Sequence, residues 1–83
     1  MSDFFGERIQ EERKRLKLNQ TEFASIAGVV LNTQFTYEKN TRTPDANYLR
    51  AIAAAGADVY YILTGARTPT IPATTSPDES ALL

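Results

Sequence analysis

Apolar residues recur along the chain at intervals of three or four, and short polar or glycine-containing segments interrupt them. Such intervals place apolar side chains on one face of a helix, whereas a half-buried strand would alternate apolar and polar positions. Phe5, Ile9 and Leu16, for example, share one face of a predicted first helix. The pattern predicts an all-α, compact domain of five helices and no strand, with approximate bounds 3–17, 20–27, 30–38, 44–55 and 59–64.

Capping residues mark where the first of these helices begin and end. Asn19 and Glu22 have the spacing of a capping box, in which each side chain accepts a hydrogen bond from the other residue's backbone N–H. Gly28 can adopt the left-handed conformation that ends many helices. Thr43 is expected to cap the fourth helix, with Pro44 at its first helical position, where a missing N–H costs nothing.

Glycine and aspartate mark the remaining boundaries. Gly56 is expected to end the fourth helix, and Asp58 and Gly65 are expected to bound the fifth. The residues predicted to be buried in the second and fourth helices are Phe23, Ile26, Ala27, Tyr48, Leu49 and Ile52.

The third helix has two faces of different chemistry. At about 100° per residue, the face expected to pack on the core contains Val30, Thr33, Gln34 and Tyr37. The opposite face contains Leu31, Asn32, Phe35, Thr36 and Lys39. An amide, a hydroxyl, apolar groups and a cation are suited to contacting the edges of DNA bases. Two short helices on either side of a glycine turn therefore predict a helix-turn-helix.

The composition excludes several other classes of function. The 83 residues include no cysteine and no histidine, which excludes disulfides, zinc fingers and imidazole chemistry. There is no glycine-rich phosphate loop and no carboxylate pair in an evident cleft, so we expect no enzyme, no metal and no other cofactor. The chain begins without the apolar run of a signal peptide and has no apolar stretch of about 18 residues, so we expect a cytoplasmic protein without membrane contact.

The charged residues are clustered, although the net charge is only −1. The segment RKRLK ends the first helix, and Lys39 and Arg42 follow the third. Two basic clusters on one small domain are enough to contact phosphates, although the first cluster can also be a solvated helix end that complements the helix dipole. The acidic residues Glu7, Glu11 and Glu12 are expected on a solvated face of the first helix.

The chain is expected to divide after residue 66. Residues 67–83 begin with prolines and threonines, which predict a linker or tail, and Ser76-Pro77-Asp78-Glu79 then has the pattern of a helix start. A helix cut off within two turns does not form alone. Either the chain is truncated before a second domain or the segment folds on a partner, and we favour truncation.

Several motifs resemble the Cro/phage-repressor (XRE) family. The resemblance covers roughly residues 4–66, including the segments NTQFTYEKNTRTPDANYL and DVYYILTG, which resemble a phage and prophage regulator subgroup. It implies a lambda-repressor-like DNA-binding domain, and a sequence-specific transcriptional repressor that binds a two-fold operator as a dimer in a bacterial cell. The family residues present are Gln20, Ala24, Gly28, Tyr37 and Glu38, followed by the helix after Pro44.

The resemblance also implies which side chains contact DNA. The residues expected to read bases are Leu31, Asn32, Phe35 and Thr36. The residues expected at the DNA backbone are Arg13, Gln20, Lys39, Asn40 and Arg42, with Gln20 alternatively bracing the third helix. Asn32 can pair bidentately with adenine, while Leu31 and the methyl group of Thr36 can meet a thymine methyl.

Three residues depart from the family pattern. Val30 replaces the usual Ser or Thr cap of the third helix, and Phe35 stands where a polar residue is commoner. Gln34 replaces a branched apolar residue, and a buried glutamine must find hydrogen-bond partners or cost about 1–3 kcal/mol.

The expected partners are operator DNA, a second copy of the chain and an antirepressor protein. One of the adjacent Tyr60 and Tyr61 must point outward, and both are candidates for a dimer interface, since two half-sites lie about 34 Å apart. As an alternative, Leu31 and Phe35 contact a protein, and the chain is an interaction module or adaptor on the same scaffold, such as a target of an antirepressor.

Overall fold

The structure is a computed structural model that describes residues 5–69. Within that range it contains helices and no strand, which confirms the all-α prediction. The helices are α1 (Phe5–Arg15), α2 (Gln20–Ala27), α3 (Leu31–Glu38), α4 (Ala46–Ala54) and α5 (Val59–Thr64). Helices α2 and α3 form the helix-turn-helix, α1 packs on α3 and α5, and α4 packs on α2 and α5. None of the described helices is long and apolar enough to cross a membrane.

Local side-chain chemistry sets most helix ends as the sequence predicts. Asn19 Oδ1 accepts a hydrogen bond from Glu22 N at 2.7 Å, and Glu22 Oε1 accepts one from Asn19 N at 2.9 Å, which completes the capping box before α2. Gly28 ends α2 with a φ of 75°. Asp58 caps α5 by accepting from a backbone N–H, and Gly65 ends that helix with a φ of 82°.

The start of α4 differs from the prediction. Asp45, not Thr43, is the capping residue, and its carboxylate accepts a hydrogen bond from Tyr48 N at 2.9 Å. Aspartate is at least as strong a cap as threonine, so the helix begins after the later of the two residues. The predictions of Thr43 as cap and Pro44 as first helical residue are therefore wrong, and Pro44 is instead buried before the cap.

The core lies where the five helices meet. Its buried members are Ile9, Phe23, Ala27, Tyr37, Tyr48, Ile52, Ala57 and Ile62. The ring of Tyr48 packs edge-on against Tyr37 and Phe23, with centroids 4.6 Å and 6.4 Å away. Aromatic pairs in this geometry are stabilised beyond the area that they bury.

Two predicted core residues are exposed. Ile26 is 43% exposed because the buried stripe of α2 is centred between Phe23 and Ala24, and Ile26 lies on the far side of Phe23 from that centre. Val30 is 69% exposed because it is the capping residue, with extended backbone, so helical spacing does not apply to it. Leu49 is partly buried against the core.

The beginning of α1 lies directly against the end of α3. A Cβ atom on Gly6 would stand 2.4 Å from the carbonyl oxygen of Glu38, so only glycine fits there. Gly6 N also donates a 2.8 Å hydrogen bond to Asn40 Oδ1, and Asn40 has the positive φ, 64°, that the sequence predicts for this turn. The role of Gly6 is not predicted from the sequence, where its signal is a glycine inside a predicted helix.

Candidate nucleic-acid interface

One face of α3 presents the side chains that the sequence analysis expects to read bases. Leu31 and Asn32 are exposed, and Phe35 and Thr36 are half-buried on the same helix. The hydroxyl group of Thr36 donates to Thr33 O at 2.7 Å, so its proton is used within the helix. The exposed side chains in the first turn of α3 are those of Leu31, an isobutyl group, and Asn32, an amide.

The first turn of α3 lacks a side-chain cap, as the valine at this position predicts. The backbone N–H groups of Thr33 and Gln34 donate to Val30 O at 3.0 Å and 3.2 Å. Those of Leu31 and Asn32 find no hydrogen-bond acceptor among the described residues. The first turn of α3 is thus held by backbone hydrogen bonds to Val30 and not by a capping side chain.

The opposite face of α3 is fixed by a buried carboxylate, that of Glu38, which is 4% exposed. Arg13 donates to it twice, from Nε at 2.8 Å and from Nη2 at 3.2 Å. Gln20 Nε2 donates at 3.0 Å and Gln34 Nε2 at 2.6 Å. These bonds tie α3 to α1 and α2, and we call Glu38, Arg13, Gln20, Gln34 and Tyr48 the Glu38 network.

Two residues that the family resemblance places at the DNA backbone belong to this network. The side chain of Arg13 is 11% exposed, and its remaining donor, Nη1, bonds to Leu18 O at 3.1 Å. Gln20 braces α3 through Glu38, which is the second of the two roles considered for it. In this structure the Arg13 guanidinium thus faces protein acceptors.

The buried amide of Gln34 is satisfied at both ends. Besides the bond to Glu38, its Oε1 accepts a hydrogen bond from the Tyr48 hydroxyl at 2.8 Å, and both side chains are almost fully buried. Burial raises the pKa of Tyr48, so its hydroxyl stays protonated and acts as the donor. The partners that a buried glutamine requires are therefore present on α3 and α4.

The turn after α3 carries two exposed cations. Lys39 and Arg42 are exposed and form no ion pair within residues 5–69. Lys39 Nζ lies 6.0 Å from the centroid of the Phe35 ring, which keeps it beside the exposed face of α3. Asn40 lies between them in the sequence, and its side-chain Oδ1 accepts a hydrogen bond from Gly6 N.

The basic segment at the end of α1 separates into two kinds of residue. Arg13 pairs with Glu38, and Arg15 donates to Glu12 at 2.6 Å and to Gly56 O at 2.8 Å. Lys14 is exposed and has no ion pair in the described part of the chain. The end of α1 therefore offers fewer unpaired positive charges to a ligand than the segment RKRLK indicates.

The adjacent tyrosines of α5 have different environments. Tyr60 is 49% exposed, as is, at 45%, the apolar Leu63 of the same helix. Tyr61 is half-buried, donates its hydroxyl proton to Glu11, and stacks under the guanidinium of Arg67 at 3.8 Å. The outward member of the pair is therefore Tyr60.

Glu12 is not on a solvated face, which corrects that expectation. Its side chain is fully buried, and Arg67 reaches it from beyond α5 at 2.5 Å. Burial alone would raise the pKa of Glu12, but hydrogen bonds from Arg15, Arg67 and the backbone of Asp58 outweigh it and lower the pKa to about 2. The sequence gives no local sign of this site, because Arg67 lies 55 residues away.

The residues after α5 remain attached to the domain as far as Thr68. Thr68 donates from its backbone N at 3.0 Å and from its hydroxyl at 2.5 Å to the carboxylate of Asp58. These bonds lower the pKa of Asp58 to about 2. The start of the predicted linker thus contacts α1 and α5, while the helix start predicted at 76–79 lies outside the described residues.

Comparison with known proteins places this geometry in a known class. No protein-family model and no curated protein matches the chain. A crystal structure of the P22 c2 repressor protein in complex with synthetic operator 9T in the presence of Tl⁺ matches with a TM-score of 0.69 and 29% identity, covering 78% of this chain and 100% of that one.

A second match is the solution NMR structure of the DNA-binding domain of the P22 c2 repressor (1–76). It has a TM-score of 0.70 and 29% identity, and covers 86% of this chain and 96% of that one. Both are structures of a repressor, in agreement with the expectation of a regulator and not an enzyme. The resemblance seen in the sequence is confirmed: the chain is similar to Cro/phage-repressor-like helix-turn-helix domains and has their all-α fold.

Proposed function

We propose that this chain is a sequence-specific DNA-binding transcriptional repressor of the phage or prophage type. The observation that carries the proposal is the division of α3 into a buried face, fixed by the Glu38 network, and an exposed face that starts with Leu31 and Asn32. A helix held on one side and free on the other can lie in a major groove. The similar P22 c2 repressor was solved with operator DNA, which supports the same ligand class here.

The exposed groups fit the two kinds of contact that specific binding needs. Asn32 can donate to and accept from adenine, and Leu31 can meet a thymine methyl group, with Phe35 and Thr36 behind them. Lys39 and Arg42, both exposed just after α3, supply charge for phosphates. Because Arg13 faces Glu38, phosphate contact depends mainly on the cations that follow α3.

Operator binding as a dimer is the further part of the proposal. Two half-sites one helical turn apart need two copies of α3 held about 34–36 Å apart. Tyr60 and Leu63 are the exposed large side chains of α5, and they are our candidates for the contact between copies. A dimer bound in successive major grooves would repress by blocking access of the polymerase to the promoter.

Three matched variants test the assignment of base and phosphate contacts. Asn32→Ala should weaken binding to one base pair of the operator by about 1–3 kcal/mol and leave binding to random DNA unchanged. Arg42→Ala should weaken all sequences alike and lower the salt slope by about 1. Arg50→Ala removes the same charge from an exposed site on α4 and should do neither. The assignment is wrong if Asn32→Ala discriminates as the wild type does.

A protein-interaction module on the same scaffold is the second candidate. Val30 and Leu31 are exposed apolar residues at the start of α3, and such side chains also suit a protein partner such as an antirepressor. Absence of DNA binding by the wild-type chain at low salt would favour this candidate over the first.

A further inference from the structure

We infer that the hydrogen bond between Gln34 and Tyr48 sets the rotation of α3 about its own axis, which makes both of them positioning residues for base discrimination. The inference rests on the proposed function, because it concerns how the same helix face reads DNA. Its structural half, the control of helix orientation, can be measured in the free protein. Neither residue is exposed, so neither can touch a ligand itself.

Apolar packing alone leaves the orientation of α3 weakly defined. The helix has eight residues, no side-chain cap, and buries only Gln34, Tyr37 and Glu38. The free energy of apolar burial does not depend on how the side chains are oriented, whereas a hydrogen bond requires a narrow range of distances and angles. The polar bonds of this short helix therefore define its rotation more sharply than its single buried aromatic ring does.

The polar bonds act at two points one helical turn apart. Glu38, at the end of α3, is tied to α1 and α2 by Arg13 and Gln20. Gln34 lies one turn closer to the exposed Leu31 and Asn32, and is tied to α4 by Tyr48. One tie would let the start of the helix pivot around its end. The second tie prevents that movement at the turn nearest the bases.

Tyr48 is itself a rigid support. Its side chain is 1% exposed and packs against two aromatic rings, and its backbone N–H is held by the Asp45 cap of α4. The hydroxyl group therefore has a fixed position relative to the core. Because Gln34 accepts a hydrogen bond from this hydroxyl, the orientation of α3 relative to the core is fixed as well.

A small rotation is enough to affect reading. Side-chain tips on a helix lie about 5–6 Å from its axis, so a rotation of about 10° moves them by about 1 Å. Hydrogen bonds to bases tolerate only a few tenths of an ångström around about 2.9 Å. Loss of the Gln34–Tyr48 bond should therefore reduce discrimination between base pairs, while attraction to phosphates changes little.

Tyr48→Phe is the direct test, with Tyr37→Phe as the matched control at a second buried tyrosine, whose hydroxyl makes no hydrogen bond within residues 5–69. The DNA probes are the duplex that the wild-type protein selects from a random library, single-base variants of that duplex, and an unrelated duplex. For Tyr48→Phe we expect the ratio of affinities for selected and variant duplexes to fall about tenfold, with the salt slope unchanged. An unchanged ratio would overturn the inference.

The double variant Gln34→Leu, Tyr48→Phe separates positioning from stability. It removes the unpaired amide oxygen that Tyr48→Phe leaves in the core. It also removes the Gln34 donor to Glu38, but Arg13 and Gln20 still hold that carboxylate, so thermal stability should recover in part. Because the tie to α4 is still missing, discrimination should remain reduced. Recovery of discrimination together with stability would show a purely structural role and overturn the inference.

Residual dipolar couplings of the α3 amides, measured without DNA, give a readout independent of binding. We expect their orientation relative to α1 to change in Tyr48→Phe and to stay constant in Tyr37→Phe. Couplings identical to the wild type would overturn the inference whatever the DNA result. If the wild type selected no duplex, the proposed function would fail, and the couplings alone would decide whether the bond orients α3.

Discussion

Replacing Arg13 by alanine tests whether this cation is a structural partner of α3 or a phosphate contact. Its Nε and Nη2 atoms donate to a carboxylate whose side chain is 3% exposed, and its Nη1 donates to Leu18 O. Removing the guanidinium would leave the Glu38 charge in the protein interior with only two amide donors, Gln20 and Gln34. The variant should therefore be much less stable than one that loses a surface cation.

The magnitude follows from the burial of the pair. Breaking a buried ion pair by removing one partner costs about 3–5 kcal/mol. Since two amide donors remain on Glu38, we expect the lower end, about 3 kcal/mol. For a domain of this size, a loss of that order lowers the melting temperature by roughly 12–24 °C. Such a loss would be a large fraction of the total stability of a small domain.

The assay is urea unfolding followed by circular dichroism at pH 7, with Lys14→Ala as the control. Lys14 is the next residue of α1, is exposed, and should change the free energy of unfolding by no more than about 0.5 kcal/mol. The reasoning is refuted if Arg13→Ala loses less than about 1 kcal/mol, which is the range of exposed pairs. It is also refuted if the salt slope of DNA binding falls by about 1, because Arg13 would then contact phosphate.

Three further substitutions test other contacts of the domain. Glu12 has a folded pKa of about 2 against an ordinary 4.5, so its stabilisation is complete above pH 4.5 and is lost as the pH falls through 2. Since its partner Arg67 is half exposed, Glu12→Gln should lower the free energy of unfolding by about 1–2 kcal/mol at pH 7 and by little near pH 2. Urea unfolding measures both values, and a loss independent of pH would contradict this. Lys17→Gly should raise the melting temperature, because Lys17 has a φ of 63°, which glycine adopts without strain. The free energy of unfolding should rise by about 0.5–1 kcal/mol, and a lower melting temperature would count against the idea. Asn40→Ala should lose about 1–2 kcal/mol, since it breaks the bond to Gly6 N and puts alanine at a φ of 64°, and stability equal to the wild type would exclude that role.

The parts of the fold that depend on local chemistry were predictable from the sequence. The capping box of Asn19 and Glu22, the glycine end of α2 and the Asp58 cap of α5 each involve residues within three or four positions of one another. The start of α4 was mispredicted because both Thr43 and Asp45 are strong caps, and the sequence does not show which one has the extended backbone.

The candidate site was predictable on its exposed face and not on its buried one. Leu31 and Asn32 follow from helical spacing within α3, and their exposure agrees with the prediction. The pairing of Arg13 with Glu38 joins residues 25 positions apart, so a local pattern sees only a basic cluster. For the same reason the buried Glu12 looked like one more solvated carboxylate, although Arg67 and Asp58 enclose it.

The central claim, that α3 reads operator DNA, is tested most directly by a fluorescence-anisotropy titration of the full chain with DNA at several salt concentrations. The duplexes are the intergenic DNA upstream of its own gene and an unrelated duplex of equal length. We predict that the upstream DNA binds at least about a thousandfold more tightly, and that the logarithm of the binding constant falls linearly with the logarithm of salt concentration. Equal affinity for both duplexes, or no binding at low salt, would contradict the account.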